Sequence, residues 1–170
     1  SKKEIHSRVL SAIANLYTNA NNVIQLNDTQ NFKIVVKGRS EFLTKNEMKP
    51  LLPKNPYVLS IIQISYYHTL NIDSKDGRYK IVFETTSIPK YEQANTEQLF
   101  GFSTSFVKMN EEEIAKMVEN KIEPIEKMKI LYGNKKREAY KKEIPIAYEY
   151  FYNRYIDEAK RTMIAINDFV

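Results

Sequence analysis

The stretch from Val58 to Ile72 constrains this chain most. Ile62, Ile64, Tyr66, Leu70 and Ile72 share one parity, with His68 among them, while Gln63, Ser65, Thr69 and Asn71 share the other. Successive side chains of a strand point to opposite faces, so this spacing predicts a strand with one apolar and one polar face. Asp73-Ser74-Lys75-Asp76-Gly77 supplies a turn, with Gly77 free to take a positive φ. Arg78 to Glu84 then returns with Tyr79, Ile81 and Phe83 on one face. A hairpin buried on one side only belongs to an antiparallel sheet that something else must cover.

The cover reads as helical. Ser1 caps a first helix with Glu4 at the capping-box spacing, and Ile5, Val9, Ile13 and Leu16 fall on one face, widened by Ala12 and Tyr17. Asn19 to Asn22 is expected to end it. Val23-Ile24-Gln25-Leu26, a polar turn at residues 27–30, and alternating Phe32, Ile34 and Val36 read as a second antiparallel hairpin, which Gly38-Arg39-Ser40 ends or bulges. Pro50, Pro53 and Pro56 make residues 44–57 an irregular connection. Gly101 to Val107 is a candidate last short strand.

From Asn110 the period changes. Asn110 is a good cap, Glu111 to Glu113 suit the positive end of a helix dipole, and Ile114, Met117, Val118, Ile122, Ile125 and Met128 keep helical spacing. Pro124 is expected to kink or split this helix. After Gly133 and Asn134, a last helix carries Ile144, Tyr148, Phe151, Tyr155, Ala159, Met163 and Ile166. Pro145 is placed in its first turn and the basic run Lys135 to Lys142 ahead of it. The reading is therefore α+β: an antiparallel sheet with an N-terminal helix and C-terminal helices covering one face. The expected division is a domain at 1–109 and a helical extension at 110–170 packed on it as one structural unit.

Composition removes several chemistries. The chain has no cysteine, so disulfides, thiolate metal sites and cysteine nucleophiles are excluded. His6, near a helix start, is expected to be exposed, and the two histidines show no metal-ligand spacing. With four glycines and no GxGxxG, GxxxxGK[ST] or GxSxG, a phosphate-cradling loop or nucleophile elbow is absent. No run is long and apolar enough to span a bilayer. The net charge of +5 sits in residues 1–109, which hold 14 Lys and Arg against 9 acids, while residues 110–170 balance at 12 against 12. That excess has no arginine-rich arm and makes a modest footprint for nucleic acid.

Four stretches carry a resemblance: Ser1-Lys2-Lys3-Glu4, Val23-Ile24-Gln25, Lys37-Gly38-Arg39 and above all Lys75-Asp76-Gly77-Arg78-Tyr79-Lys80. Over about residues 1–88 the chain resembles a bacterial family of unknown function, typical of Bacteroidota, described as having a TBP-like fold (TBP being the TATA-binding protein). The resemblance implies a TBP-like fold and a cell-envelope location, periplasmic, lipid-anchored or secreted, after removal of a leader that this chain does not include. It implies no catalytic residue, and the fold name does not imply DNA binding.

The chemistry-bearing candidates each have a plainer reading. Lys75 and Arg78 flank a charged hairpin tip that can meet a partner; the plainer reading is a solvated turn. Glu111 to Glu113 read as a charged first turn rather than a cation site. The chain has twelve tyrosines, six of them from Tyr132 onward, and tyrosine joins a large apolar area to a polar tip. Tyr150 and Tyr152 lie off the centre of the last helix's apolar face and are the candidate partner or ligand surface. Lys135, Lys136, Arg137, Lys141 and Lys142 form the densest basic patch, fit for anionic lipid heads, acidic glycans or nucleic acid. His68 reads as a hydrogen-bonded, half-buried histidine.

The resulting expectation is a non-catalytic binding domain of an exported envelope protein, with an envelope protein or a small apolar or glycan ligand as partner and with no cofactor or metal. Two rivals remain: a nucleic-acid-binding module using the basic first part, and a hydrolase centred on His68. The hydrolase requires a pocket at His68, a shifted pKa, and a hydroxyl or carboxylate within hydrogen-bond reach.

Overall fold

The computed structural model describes residues 1–87 and 108–170. The element order is α1 (Lys2–Leu16), α2 (Ala20–Val23), β1 (Ile24–Asp28), β2 (Lys33–Lys45), β3 (Ile61–Lys75), β4 (Arg78–Ser87), α3 (Glu111–Lys127) and α4 (Asn134–Phe169). The four strands form one antiparallel sheet in the order β1-β2-β3-β4, so the protein is α+β. The candidate strand at Gly101 to Val107 lies outside the described residues.

The chain divides into two compact units: Ser1–Glu41 with Ser65–Pro89 and Ile156–Val170, and Phe42–Ile64 with Lys90–Tyr155. The division falls within β2, β3 and α4.

In the first unit, α1 and the end of α4 cover one face of the sheet. Val9, Ala12 and Ile13 of α1 join Ile34, Val36, Leu70, Ile72 and Ile166 in one buried cluster. The apolar parity of β3 is buried as expected at Tyr66, His68, Leu70 and Ile72, but Ser65 and Thr69 of the other parity are buried as well, so the strand is not wet along its whole second face. Tyr79, Ile81 and Phe83 of β4 pack against the same cluster. In α1, the Ser1 hydroxyl accepts from the Glu4 N–H at 3.3 Å, but Leu16 is exposed. The helix stops at Leu16, and Tyr17 follows with extended dihedrals (φ −113°, ψ 129°). Tyr17 therefore leaves the helical face expected for it.

Three further expectations are corrected. The β3–β4 turn is only Asp76-Gly77, because Lys75 and Arg78 still pair across the strands; Gly77 has φ 74°. Phe32 stands in the β1–β2 turn with φ 56°, ahead of the strand rather than in it. His6 is buried, with Nε2 2.7 Å from Asn27 Oδ1 and its ring edge-on to Phe32. A helical residue one turn in from the cap faces the sheet as readily as the solvent, and here an amide accommodates the ring nitrogen.

In the second unit, Leu51, Met117, Tyr140, Ile144 and Tyr148 form the buried cluster, with Ile114, Val118, Ile122 and Ile125 packed on it. Asn110 caps α3 through a full capping box with Glu113. Pro124 does not split α3, which runs on to Lys127; it removes one intrahelical bond, and Ile122 and Ile125, packed on the second core on either side of it, hold the helix together. Pro145 lies inside α4, eleven residues from its start, and Lys135 to Lys142 are helical rather than a lead-in. Tyr140, Ile144 and Tyr148 are buried on both sides of the proline, so tertiary burial holds the helix through the position where local preference would begin it.

Candidate functional site

The densest polar construction in the first unit surrounds His68. β3 carries its imidazole inward, where it is 1% exposed and stacks on Phe83 at 4.8 Å and 15°. Tyr17, freed from α1, brings its hydroxyl to 2.7 Å from Nε2, and Ser40 Oγ lies 3.3 Å from Nδ1. Gly38 of β2 explains how the rings fit. A Cβ there would stand 2.6 Å from Tyr17 Cε1 and 2.7 Å from His68 Nε2. The glycine thus continues the strand instead of ending it, and its missing side chain makes room for the Tyr17–His68 bond.

Burial sets the electrostatics. It pushes the His68 imidazolium pKa down to about 4 and the Tyr17 hydroxyl up to about 12, so both are neutral at pH 7. The short Tyr17 contact suits a hydroxyl donating to Nε2. We assign the proton accordingly: Nδ1–H then points at Ser40, which accepts. A serine nucleophile needs the opposite, a base that takes its proton. The pocket, the shifted pKa and the hydroxyls that the hydrolase reading requires are all present, yet this polarity leaves Ser40 unactivated.

A notch of about 440 Å³ opens beside this pair, lined by Asn22, Val23, Gln25, Lys37, Gly38, Arg39, Tyr67, His68 and Thr86. It lies where β1 departs from the edge of β2, just past the Ile24–Val36 pair. Two amides, Asn22 and Gln25, and two cations, Lys37 and Arg39, are among its lining residues, together with Tyr67, which is 42% exposed. Arg39 is held in place by Ser65 at 2.8 Å and Glu41 at 3.0 Å.

The residues expected from sequence fall elsewhere. Lys75 and Arg78 are exposed at the β3–β4 tip in the first unit. Tyr150 and Tyr152 are in the second. Tyr150 is partly exposed, with Lys45 Nζ 5.7 Å above its ring. Tyr152 packs on the second core and stacks with Tyr148 at 6.3 Å. Sequence reasoning missed Tyr17, Ser40, Lys37, Arg39 and Tyr67; the one signal for them was a glycine between Lys37 and Arg39 in a strand pattern.

The second unit holds a buried ion pair, Lys121 Nζ to Glu47 Oε1 at 2.6 Å, with the Tyr140 hydroxyl 3.5 Å from the same oxygen. Burial pushes the Glu47 pKa up and the Lys121 pKa down, and each partner's charge opposes the shift. Among the described residues no group of His, Asp and Glu is placed to hold a metal ion, and no helix is long and apolar enough to cross a membrane. Comparison with family models, curated proteins and solved structures finds no match for this chain.

Proposed function

We propose that this chain is a non-catalytic binding domain, and that the notch beside His68 takes a small hydroxyl-rich or acidic ligand of the glycan kind. One observation carries the reading: the notch is lined by the Asn22 and Gln25 amides, the Lys37 and Arg39 cations, the partly exposed Tyr67 and the edge of the hydroxyl-bonded His68. An aromatic face with a few placed polar groups is how concave sites orient such ligands. The imidazole of His68 is spent within the fold, because both its nitrogens have hydroxyl partners. This supports recognition rather than turnover. The resemblance to the Bacteroidota family supports placing the domain in the cell envelope.

The test is a titration of isotope-labelled protein with a panel of neutral and acidic oligosaccharides. Amide shifts confined to residues 22–25, 37–39, 67–68 and 86, and lost in Tyr67→Ala, are expected. A panel that moves none of these residues refutes the assignment. Ligand hydrolysis that Ser40→Ala abolishes would refute the non-catalytic reading and restore the hydrolase. Duplex DNA binding that falls steeply with salt would favour the nucleic-acid rival.

A further inference from the structure

The connection between α3 and α4 presents apolar side chains to solvent. Ile130 is 101% exposed, Leu131 70% and Met128 44%. They sit on a turn that is tied down from within. The N–H groups of Leu131 and Tyr132 donate to the Met128 carbonyl at 2.9 and 3.1 Å. Arg137 donates to the Tyr132 carbonyl at 3.1 Å and to Asn134 Oδ1 at 3.3 Å, and its Nε lies 3.3 Å from Glu126. Tyr132 packs on the core of its unit. With both ends of the turn anchored, Ile130 and Leu131 are held outward instead of folding back.

The charge around this tip is positive on balance. Residues 123–143 hold seven Lys and Arg against four acids, Glu123, Glu126, Glu138 and Glu143, and no acid lies between Glu126 and Glu138. Lys127, Lys129, Lys135, Lys136, Lys141 and Lys142 are all exposed. Lys127 Nζ lies 2.7 Å from Glu123 and Lys129 Nζ 3.9 Å from Glu126, exposed pairs that lipid phosphates can replace.

We propose that this tip docks the protein on an anionic bilayer, with Ile130 and Leu131 inserted among the headgroups and the surrounding lysines on lipid phosphates. Exposed apolar side chains on a turn with exposed lysines on both sides of it match a surface that is negative outside and apolar just beneath. Lysine suits this place, since its stem lies along apolar material while the ammonium stays at the headgroups. A nucleic-acid partner would use the lysines but leave the Ile130 and Leu131 side chains in water. A second copy would bring the same lysines against themselves. The inference is independent of the notch beside His68.

The chain has no tryptophan, so Ile130→Trp adds a single reporter at the tip. Its emission is expected to shift to the blue on vesicles of about 3:1 phosphatidylcholine to phosphatidylglycerol and to stay unchanged on pure phosphatidylcholine. Co-sedimentation of the unaltered chain with the anionic vesicles is expected to weaken as salt rises. Ile130→Ser with Leu131→Ser should lower the partition at least about tenfold. Lys135→Gln and Lys136→Gln should each lower it about fivefold. Both variants alter exposed positions, and circular dichroism checks that they fold. No co-sedimentation, or co-sedimentation unaffected by the serine variant, overturns the proposal. So does a dimer that the serine variant dissolves with no vesicle binding, or duplex DNA binding that only the glutamine variants weaken.

Discussion

Acidification should loosen the first unit through one residue, His68. Its imidazolium pKa is about 4 in the folded chain because burial disfavours the charged form; unfolded, it returns to about 6.5. Between those values the unfolded state binds a proton that the folded state refuses. Stability contributed by the neutral ring is complete above pH 6.5 and is lost as the pH falls toward 4, with a slope approaching 1.4 kcal/mol per pH unit. The full gap corresponds to about 3.4 kcal/mol; the open notch beside the ring lets solvent relieve part of it, so about 2–3 kcal/mol is expected. Three carboxyls act alongside it, one of them Glu123, which the Lys127 ammonium holds below its usual range. The amides of Asn31 and Gln30 hold the Asp28 carboxyl below its usual range, so its contribution is lost on acidification. The raised Glu47 carboxyl acts with the opposite sign. All three remain in His68→Leu, so the difference between the two proteins isolates the imidazole. The direct assay is a proton NMR titration of the His68 ring, assigned with His6→Asn, paired with urea unfolding at pH 7 and pH 4.5. A midpoint near 4 and a shallower pH slope in His68→Leu are expected. A ring that titrates near 6.5, or equal slopes in the two proteins, would refute the account of a buried neutral imidazole.

Gly38→Ala should cost about 2–3 kcal/mol, because its Cβ meets two rings at under 3 Å and overpacking exceeds the backbone entropy gained; urea midpoints measure it. Tyr17→Phe should cost about 1–2 kcal/mol by leaving His68 Nε2 without its partner, and it should move the His68 titration. In the second unit, Glu47→Gln or Lys121→Met alone should cost about 3–5 kcal/mol, since each strands a buried charge. The double replacement Glu47→Leu with Lys121→Met should cost less than either single change, and a double-mutant cycle would expose any additivity that contradicts this. Asn110→Ala should remove about 1 kcal/mol by opening the capping box, read from thermal unfolding.

Local and periodic signals were legible. The parity of Val58 to Ile72 marked β3 and its buried face, because a side chain's side of a strand depends only on its position. The Asn110 cap needed only Glu113, three residues on. The start of α4 was misread because Pro145 and the lysine run look like an N-terminus, whereas burial of Tyr140 and Ile144 in the second core keeps the helix intact. Gly38 read as a strand end for a similar reason: a glycine that breaks a strand and a glycine that makes room for a distant ring look the same from their neighbours. Tyr17 and His68 are 51 residues apart, and no spacing rule joins them.

The amino-acid order by itself determined the α+β class, the apolar face of the central hairpin, the capped helices and the basic run after Lys127. These depend on neighbours a few residues away and on the geometric period of each element. Only the tertiary structure decided that Tyr17 leaves α1 for His68, that Glu47 and Lys121 are buried together, and that Ile130 and Leu131 stand exposed inside that basic run. Each depends on which distant surfaces meet and which find no cover, and that is set by packing the whole chain rather than by any segment's own preference.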